Sequence, residues 1–420
     1  MKILHITPSY KPAYIYGGTT QSIGLLCEAI CEYNEQRAKC KEKGAKNKDI
    51  TQVFTTTANG EEELNVESGI PEIVDGVPVT YFTRWTKDHS HFSSELLWHL
   101  REEIRRFKNL PSAVATANLI LPEGQDVLPE KLIIHIHAWW NLVSIISCLV
   151  AKWYNVPVVL SPRGMLTSYT QTNRNSIAKK IIHKLIGKRL LRYCHIHATS
   201  NQEQKEILEI VKPKSISVIP NLVNVAGGRV LKAPNEADFF KLIFLSRIEE
   251  KKGLELLFES LALIEIPLML TIAGSGEESY VRSLKQKAAS LKLGDRINWV
   301  GQVSNEDKFN LIANHDLLVL TSYNENFANV IIESLSVGTA VLVSNKVGLA
   351  DYVNNNELGW ICSLTSESIQ NNLLKAFEDS QKRQSIRNSA PSTIRKDFID
   401  DALVKKYLDL YENVLNKNGE

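Results

Sequence analysis

The sequence lacks a disulfide framework. Its six cysteines, Cys27, Cys31, Cys40, Cys148, Cys194 and Cys362, are scattered over 420 residues, and no two form a Cys-X-X-Cys pair. That usage favours reduced thiols in cytosol. A long apolar run is also missing. The longest, near Leu142–Ala151, is broken by Ser144 and Ser147 and is too short to cross a bilayer. The opening segment, MKILHITPSY, turns polar by Ser9 and has no signal-peptide core. A cytoplasmic chain is therefore expected, with any membrane contact peripheral. Net charge is nearly absent at +2, which argues against a nucleic-acid binder. The balance is uneven, however. Lys plus Arg number 27 against 21 Asp plus Glu over residues 1–221, and 22 against 26 over 222–420, so the halves carry +6 and −4.

What is present is core material, with 44% hydrophobic and 23% charged residues. At about 150 residues per domain, the length suggests two or three domains. Short apolar runs alternate with helix-length amphipathic stretches. The predicted strands are Lys2–Thr7, Gln52–Thr57, Pro78–Thr83, Leu132–His137, Pro157–Ser161, His195–Thr199 and Ser217–Ile219. A second series follows at Leu242–Ser246, Leu268–Ala273, Asn298–Val300, Leu317–Thr321, Ala340–Ser344 and Trp360–Ile361. Helical patterns include Leu254–Leu263, Ser279–Leu291, Ala328–Leu335 and Asp400–Leu415. Strand–helix alternation of this kind predicts α/β domains with parallel sheets covered on both faces. The series breaks at Val223–Asp238, which carries Gly227, Gly228 and Pro234 and has no clear period. It is read as a linker. The expected domains are 1–222, joined by the last helix at about 400–420, and 223–399. Residues 35–50 and 60–76 are polar and read as surface insertions.

Several short segments can carry chemistry. Glu325 and Glu333 bracket ENFANVIIE, where a predicted strand gives way to a helix. Carboxylates there can accept hydrogen bonds from paired sugar hydroxyls, and the helix N-terminus offers free N–H groups. The same spacing also fits a solvated loop acid and a surface helix acid. Ser246–Leu254 (SRIEEKKGL) likewise ends a strand and opens a helix. Its Arg247 and Lys252 can stabilise a departing pyrophosphate, Arg through a bidentate fork and Lys as a point charge. An exposed basic helix start fits as well. Gly17 and Gly18 follow the first strand, and adjacent glycines let backbone N–H groups approach a phosphate. A plain turn fits equally. His135 and His137 point the same way on one strand, and His195 and His197 repeat the HIHA wording. Four histidines are compatible with a metal site. Against that, residues 131–202 contain no acid to complete it. His135 and His195 are therefore read as core or hydrogen-bonding residues, and His137 as facing a ligand. Arg163, in SPRGML, lies at another strand end, at the mouth of the expected cleft, and a basic turn fits equally.

Taken in order, these segments resemble glycosyltransferase family 4 of the GT-B fold over essentially the whole chain. They are the Gly-Gly loop, the HxH strand end, SPRGML, Val218–Asn221 (VIPN), SRxxxKKG, Ala273–Gly276 (AGSG) and the E-x7-E pair. The HIHAWWN and SPRGML wording looks like bacterial enzymes that build surface polysaccharides. The resemblance implies two Rossmann-like domains facing across a cleft, and a retaining transfer from a UDP- or GDP-sugar to a glycan or polyprenyl-diphosphate-linked acceptor. It implies that Glu333 holds the ribose hydroxyls and Glu325 the donor sugar. Arg247, Lys252 and the Gly18 N–H grip the diphosphate. Phe327, Ala328 and Asn329 touch sugar and phosphate. Gly301 and Val303 flank the base, His137 lies beside the reacting sugar, and Gly17, Trp139 and Arg163 are placed on the acceptor side. Catalysis is expected of His137, Arg247, Lys252 and Glu325. Attack from the front face is implied, with the departing phosphate taking the acceptor's proton. No Asp-X-Asp triplet occurs, so no bridging metal or other cofactor is expected. The chain departs from the family at Ala328 and at Leu222, where glycine is usual. Rivals to this reading are a GT-B epimerase or phosphorylase, a metal hydrolase using the HxH pairs, and a non-catalytic carbohydrate-binding module. Arg174–Arg192 holds seven Lys or Arg and no acid, with Ile177, Ile181, Leu185 and Leu191 on one helical side. This pattern suits an anionic membrane surface or an ordinary core-facing helix.

Overall fold

The computed structural model describes residues 1–39, 50–88, 90–109, 131–167, 170, 186–226, 239–398 and 401–417. The expected linker residues 227–238, the insertion residues 40–49 and the basic stretch 174–185 lie outside them. The chain divides into two compact units, Met1–Leu222 with Asp401–Glu420, and Val223–Asp400.

Unit 1 contains β1 (Lys2–Ile6), α1 (Gly18–Lys39), β2 (Ile50–Thr56), β3 (Ala58–Asn59), β4 (Glu62–Glu63), β5 (Pro71–Val74), β6 (Val77–Phe82) and α2 (Ser94–Lys108). It continues with β7 (Leu132–His137), α3 (Leu142–Trp153), β8 (Val158–Ser161), α4 (Lys188–Tyr193), β9 (His195–Ala198), α5 (Asn201–Ile210) and β10 (Ser215–Val218). Among the described residues its sheet runs β10-β9-β8-β7-β1-β2-β6-β5. All pairs are parallel except β5 with β6. The reading of 60–76 as an insertion is corrected here. Asp75 and Gly76, both at positive φ, turn the chain into a hairpin that adds β5 as an antiparallel edge. Its side chains are mostly exposed, so no apolar run marks it in the sequence.

Unit 2 contains β11 (Phe240–Leu245), α6 (Leu254–Ala262), β12 (Leu268–Ala273), α7 (Glu278–Ser290), β13 (Ile297–Gly301), α8 (Asp307–Ala313) and β14 (Leu317–Leu320). After these come α9 (Asn329–Ser336), β15 (Ala340–Ser344), α10 (Ala350–Asn355), β16 (Gly359–Cys362), α11 (Ser366–Glu378) and α12 (Ser380–Phe398). The strand order is β13-β12-β11-β14-β15-β16, parallel throughout. In sequence order within the unit this is 3-2-1-4-5-6, the doubly wound arrangement whose connectivity reverses between its first and fourth strands. Leu242–Phe244 and Leu317–Leu320 are apolar without alternation and wholly buried, as expected of strands covered on both faces.

The last helix, α13 (Asp401–Asn416), belongs to unit 1. Leu403, Val404, Tyr407, Leu408, Tyr411, Val414 and Leu415 fall at helical spacing and are buried beside Ile3, Leu26, Ile30 and Ile133.

Candidate active site

The loops at the switch point of unit 2 bring two expected residues together. Lys252 follows β11 and Glu325 follows β14, the two strands that adjoin where the connectivity reverses. Their side chains form a direct ion pair with exposures of 8% and 19%. Backbone contacts fix the approach. Tyr323 N–H donates to the Lys251 carbonyl at 2.8 Å, and Thr321 Oγ1 donates to the Gly253 carbonyl at 3.1 Å. Gly253 itself sits at φ +69, and a Cβ there would lie 2.3 Å from the Thr321 carbonyl oxygen. Only glycine fits this crossing of two backbones. The same holds at Gly274 after β12, at φ +143, where a Cβ would meet the Ser246 oxygen at 1.9 Å.

Electrostatics follow from this packing. Burial pulls the Lys252 ammonium below its ordinary value, and Glu325 partly restores it. Burial alone would raise Glu325, but Lys252, Lys251 and Arg247 outweigh it and hold the carboxyl below the usual carboxylate range. Arg247 is about half exposed and pairs with Glu249 at 2.8 Å. Arg247, Lys252 and Glu325 thus set two cations and a carboxylate at the ends of neighbouring strands. An ammonium has three donors, so Lys252 can keep Glu325 and still meet a phosphate oxygen.

Glu333 lies deeper, on α9. Its carboxylate accepts a 2.7 Å hydrogen bond from Lys308 of α8, and both side chains are buried. Burial raises the Glu333 carboxyl, with Lys308 opposing. Lys308 is absent from the sequence reading. The signal was available: Lys308 and Ile312 stand at i and i+4 on a short amphipathic helix, and both face inward. Phe327 is buried, Asn329 opens α9, and Ala328 caps it in the left-handed region at φ +65. Gly301, at φ +72, closes β13 and accepts from Gly274 N–H at 2.7 Å, with Val303 two residues on.

In unit 1 the reversal falls between β1 and β7. Gly17 (φ +71) and Gly18 lead from the β1 end into α1, and His137 and Trp139 follow on β7. His137, expected to face a ligand, is wholly buried, accepts from Arg163 at 3.4 Å, and lies 3.0 Å from His5 on the neighbouring strand. Trp139, expected on an acceptor side, is buried as well. Ala138 turns at φ +71, and the indole packs wholly inside the core with Leu160 and Leu166. Arg163 also donates to Ser22 at 2.9 Å and to Asn221.

The histidines form a hydrogen-bond relay whose proton positions follow from one carbonyl. Ile219 O can only accept, so His197 Nε2 donates to it at 2.8 Å. Burial keeps His197 neutral, with its pKa lowered to about 3, so its Nδ1 accepts from Ser161 Oγ at 2.6 Å. Ser161 then accepts from His135 Nε2 at 2.7 Å. His135 is held well below its usual value by burial, so its Nδ1 accepts from Tyr411 of α13 at 2.8 Å. Tyr407, one turn earlier, donates to the Pro220 carbonyl at 3.0 Å. His195 pairs separately with Ser215. His5, His135 and His137 present ring nitrogens within 4.8 Å of one another. They fit a metal poorly, because both nitrogens of His135 and of His137 are already engaged and the Arg163 cation stands beside them.

Known proteins resemble this chain in both units. A family model described as Glycosyltransferase Family 4 matches residues 51–226, and one described as Glycosyl transferases group 1 matches 228–393. N-acetyl-alpha-D-glucosaminyl L-malate synthase of Bacillus anthracis is 23% identical over 241 residues, covering 54% of this chain and 61% of that protein. The chain thus spans about three fifths of that relative. A Campylobacter jejuni relative, N,N'-diacetylbacillosaminyl-diphospho-undecaprenol alpha-1,3-N-acetylgalactosaminyltransferase, is 24% identical over 295 residues, 64% of this chain and 73% of that one. Among solved structures, HepE from Anabaena in complex with UDP and glucose superposes with a TM-score of 0.68 at 17% identity, over 98% of this chain and 100% of that one. Two matched family models in tandem, over two α/β units, make this chain a member of the family 4 glycosyltransferases, of the GT-B fold.

Proposed function

We propose that this protein is a retaining glycosyltransferase that moves a sugar from a nucleoside-diphosphate donor to a glycan or a polyprenyl-diphosphate-linked glycan in bacterial polysaccharide assembly, without a metal. The carrying observation is the Lys252–Glu325 pair at the switch point of unit 2, with Glu333 on the helix that follows. In this reading Lys252 and Arg247 meet charge that grows on the leaving diphosphate as the glycosidic bond breaks. Glu325, held ionised and oriented by Lys252, accepts from donor-sugar hydroxyls. Glu333 accepts from the ribose. The departing phosphate takes the acceptor's proton. UDP and glucose in the HepE structure, and undecaprenol diphosphate in the name of the Campylobacter relative, support the donor and acceptor classes. The test is calorimetric titration with UDP, GDP and their sugars, followed by transfer to a synthetic polyprenyl-diphosphate sugar. Absence of any nucleotide binding, or hydrolysis and epimerisation with no acceptor product, would refute the reading.

A peripheral position at an anionic membrane is part of the same proposal. Leu142, Leu149 and Trp153 leave an apolar stripe exposed along α3 (36%, 41% and 83%). Among the described residues of α4, which packs against α3, Lys188, Arg189 and Arg192 are exposed cations. Exposed tryptophan beside cations suits a lipid headgroup boundary.

A further inference from the structure

We propose that Lys308 is a positioning residue for nucleotide recognition, holding Glu333 ionised and oriented so that both ribose hydroxyls can donate to it. The inference rests on the reading of Glu333 as the ribose contact. Glu333 stands on α9 among Ile331, Ile332 and Leu335, all wholly buried, with its own side chain 6% exposed. A carboxyl in such surroundings takes up a proton, because burial penalises its charged form. The acid form would carry an O–H donor where a diol needs acceptors. A carboxylate offers about four lone-pair sites. Lys308 takes one of them at Oε1 through a 2.7 Å bond, which leaves capacity for two hydroxyls.

The charges around Glu333 are few. From α8, Lys308 faces it with 7% exposure. Helix α12 packs against α9, but its Arg387 is turned to the Ala313 and His315 carbonyls at 3.4 and 3.2 Å. Strands β14 (LLVL) and β15 (AVLVS) bring no titratable side chain. Among the described residues, Lys308 is therefore the charge that acts on Glu333. Its geometry is fixed by the fold: α8 lies between β13 and β14, and Ile312, one turn along, anchors the same face in the core.

The test is the affinity ratio of UDP to its 2′,3′-dideoxyribose analogue, measured calorimetrically from pH 5.5 to 9. GDP and its analogue are used in parallel. The ratio cancels titration of the phosphates. The wild-type ratio should be at least about tenfold and flat with pH. Lys308→Met should lower the ratio at the acid end of this range and let it recover toward the alkaline end, as Glu333 ionises. Lys308→Arg should keep the wild-type ratio. The double variant Lys308→Met with Glu333→Gln leaves no unpaired charge, guards against misfolding, and should show a low, pH-independent ratio. A wild-type ratio in Lys308→Met at every pH overturns the proposal. So does a pH-dependent ratio in the double variant. If Glu333→Gln alone retains the wild-type ratio, the ribose assignment itself is wrong and the proposal falls with it.

Discussion

Breaking the Lys252–Glu325 pair should cost stability in a way that depends on which partner is removed. Lys252→Met leaves a carboxylate that is 19% exposed, and Glu325→Gln leaves an ammonium that is 8% exposed. Stranding one member of a fully buried pair costs about 3–5 kcal/mol, whereas an exposed pair contributes about 0.2–1. This pair lies nearer the buried limit, so each single change should cost roughly 2–4 kcal/mol. Each change strands a charge, but Lys251 and Arg247 still act on Glu325 once Lys252 is gone, whereas Glu325→Gln leaves Lys252 facing those like charges and should cost more. The double variant strands no charge, so its cost should fall well below the sum. A coupling energy of about 1–3 kcal/mol is expected, the range for contacting residues. Hydrogen exchange at the amides of β11 and β14 reads unit 2 by itself. Unfolding of the whole chain would mix the two units. Additive single changes, with coupling below about 0.5 kcal/mol, would refute the argument that the two loops are locked by this pair. Acid should act through the same pair. The Glu325 carboxyl is depressed in the folded state, so its contribution is present above the unfolded value near 4.3 and is lost as pH falls through the lower folded value.

Arg247→Ala should lower kcat on the order of 10²-fold, and Arg247→Lys should not rescue it, since a point charge cannot replace a bidentate fork. Near-normal turnover of the Ala variant in a steady-state assay would remove Arg247 from the site. Transfer should survive EDTA, because the proposed mechanism meets the diphosphate charge with Arg247 and Lys252; loss restored by Mn²⁺ or Mg²⁺ would count against the metal-free reading. Ala328→Gly should stabilise unit 2 by up to roughly 1 kcal/mol. A left-handed backbone costs an L-residue about 1–2 kcal/mol, and glycine's freer unfolded chain returns about 0.4–1 of that; an unchanged or lower denaturation midpoint would contradict it. For the membrane, Lys180, Lys184 and Lys188 changed to Glu, or Leu149 and Trp153 changed to Ser, should each reduce sedimentation with anionic vesicles. Binding should weaken steeply with salt, since attraction is screened within about 10 Å at 0.1 M. Equal binding by both variants would mean that these faces are merely solvated.

The alternation of apolar runs and amphipathic stretches determined the α/β class, because a parallel strand covered on both faces must be apolar at every position, as Leu317–Leu320 is. The glycines of SRxxxKKG and AGSG were visible only as letters of a motif, and the fold supplied the reason for them. Gly253 and Gly274 stand where two backbones meet, and no other residue fits. The edge strand β5 was not legible, since its side chains are mostly exposed and carry no period. The histidines show the limit of strand-end reasoning. Position on β7 suggested that His137 faces a ligand; that it is buried against His5 and Arg163 is set by β1, β8 and the loop after β8, which no strand-end pattern shows. Tyr411 joins the relay from the far end of the chain, 276 positions from His135. Glu325 and Glu333 were readable as a motif, but their partners were not. Whether a buried carboxylate is ionised depends on which cation the fold sets against it. Lys252 comes from another strand end and Lys308 from another helix, so only the tertiary structure decided both pairings.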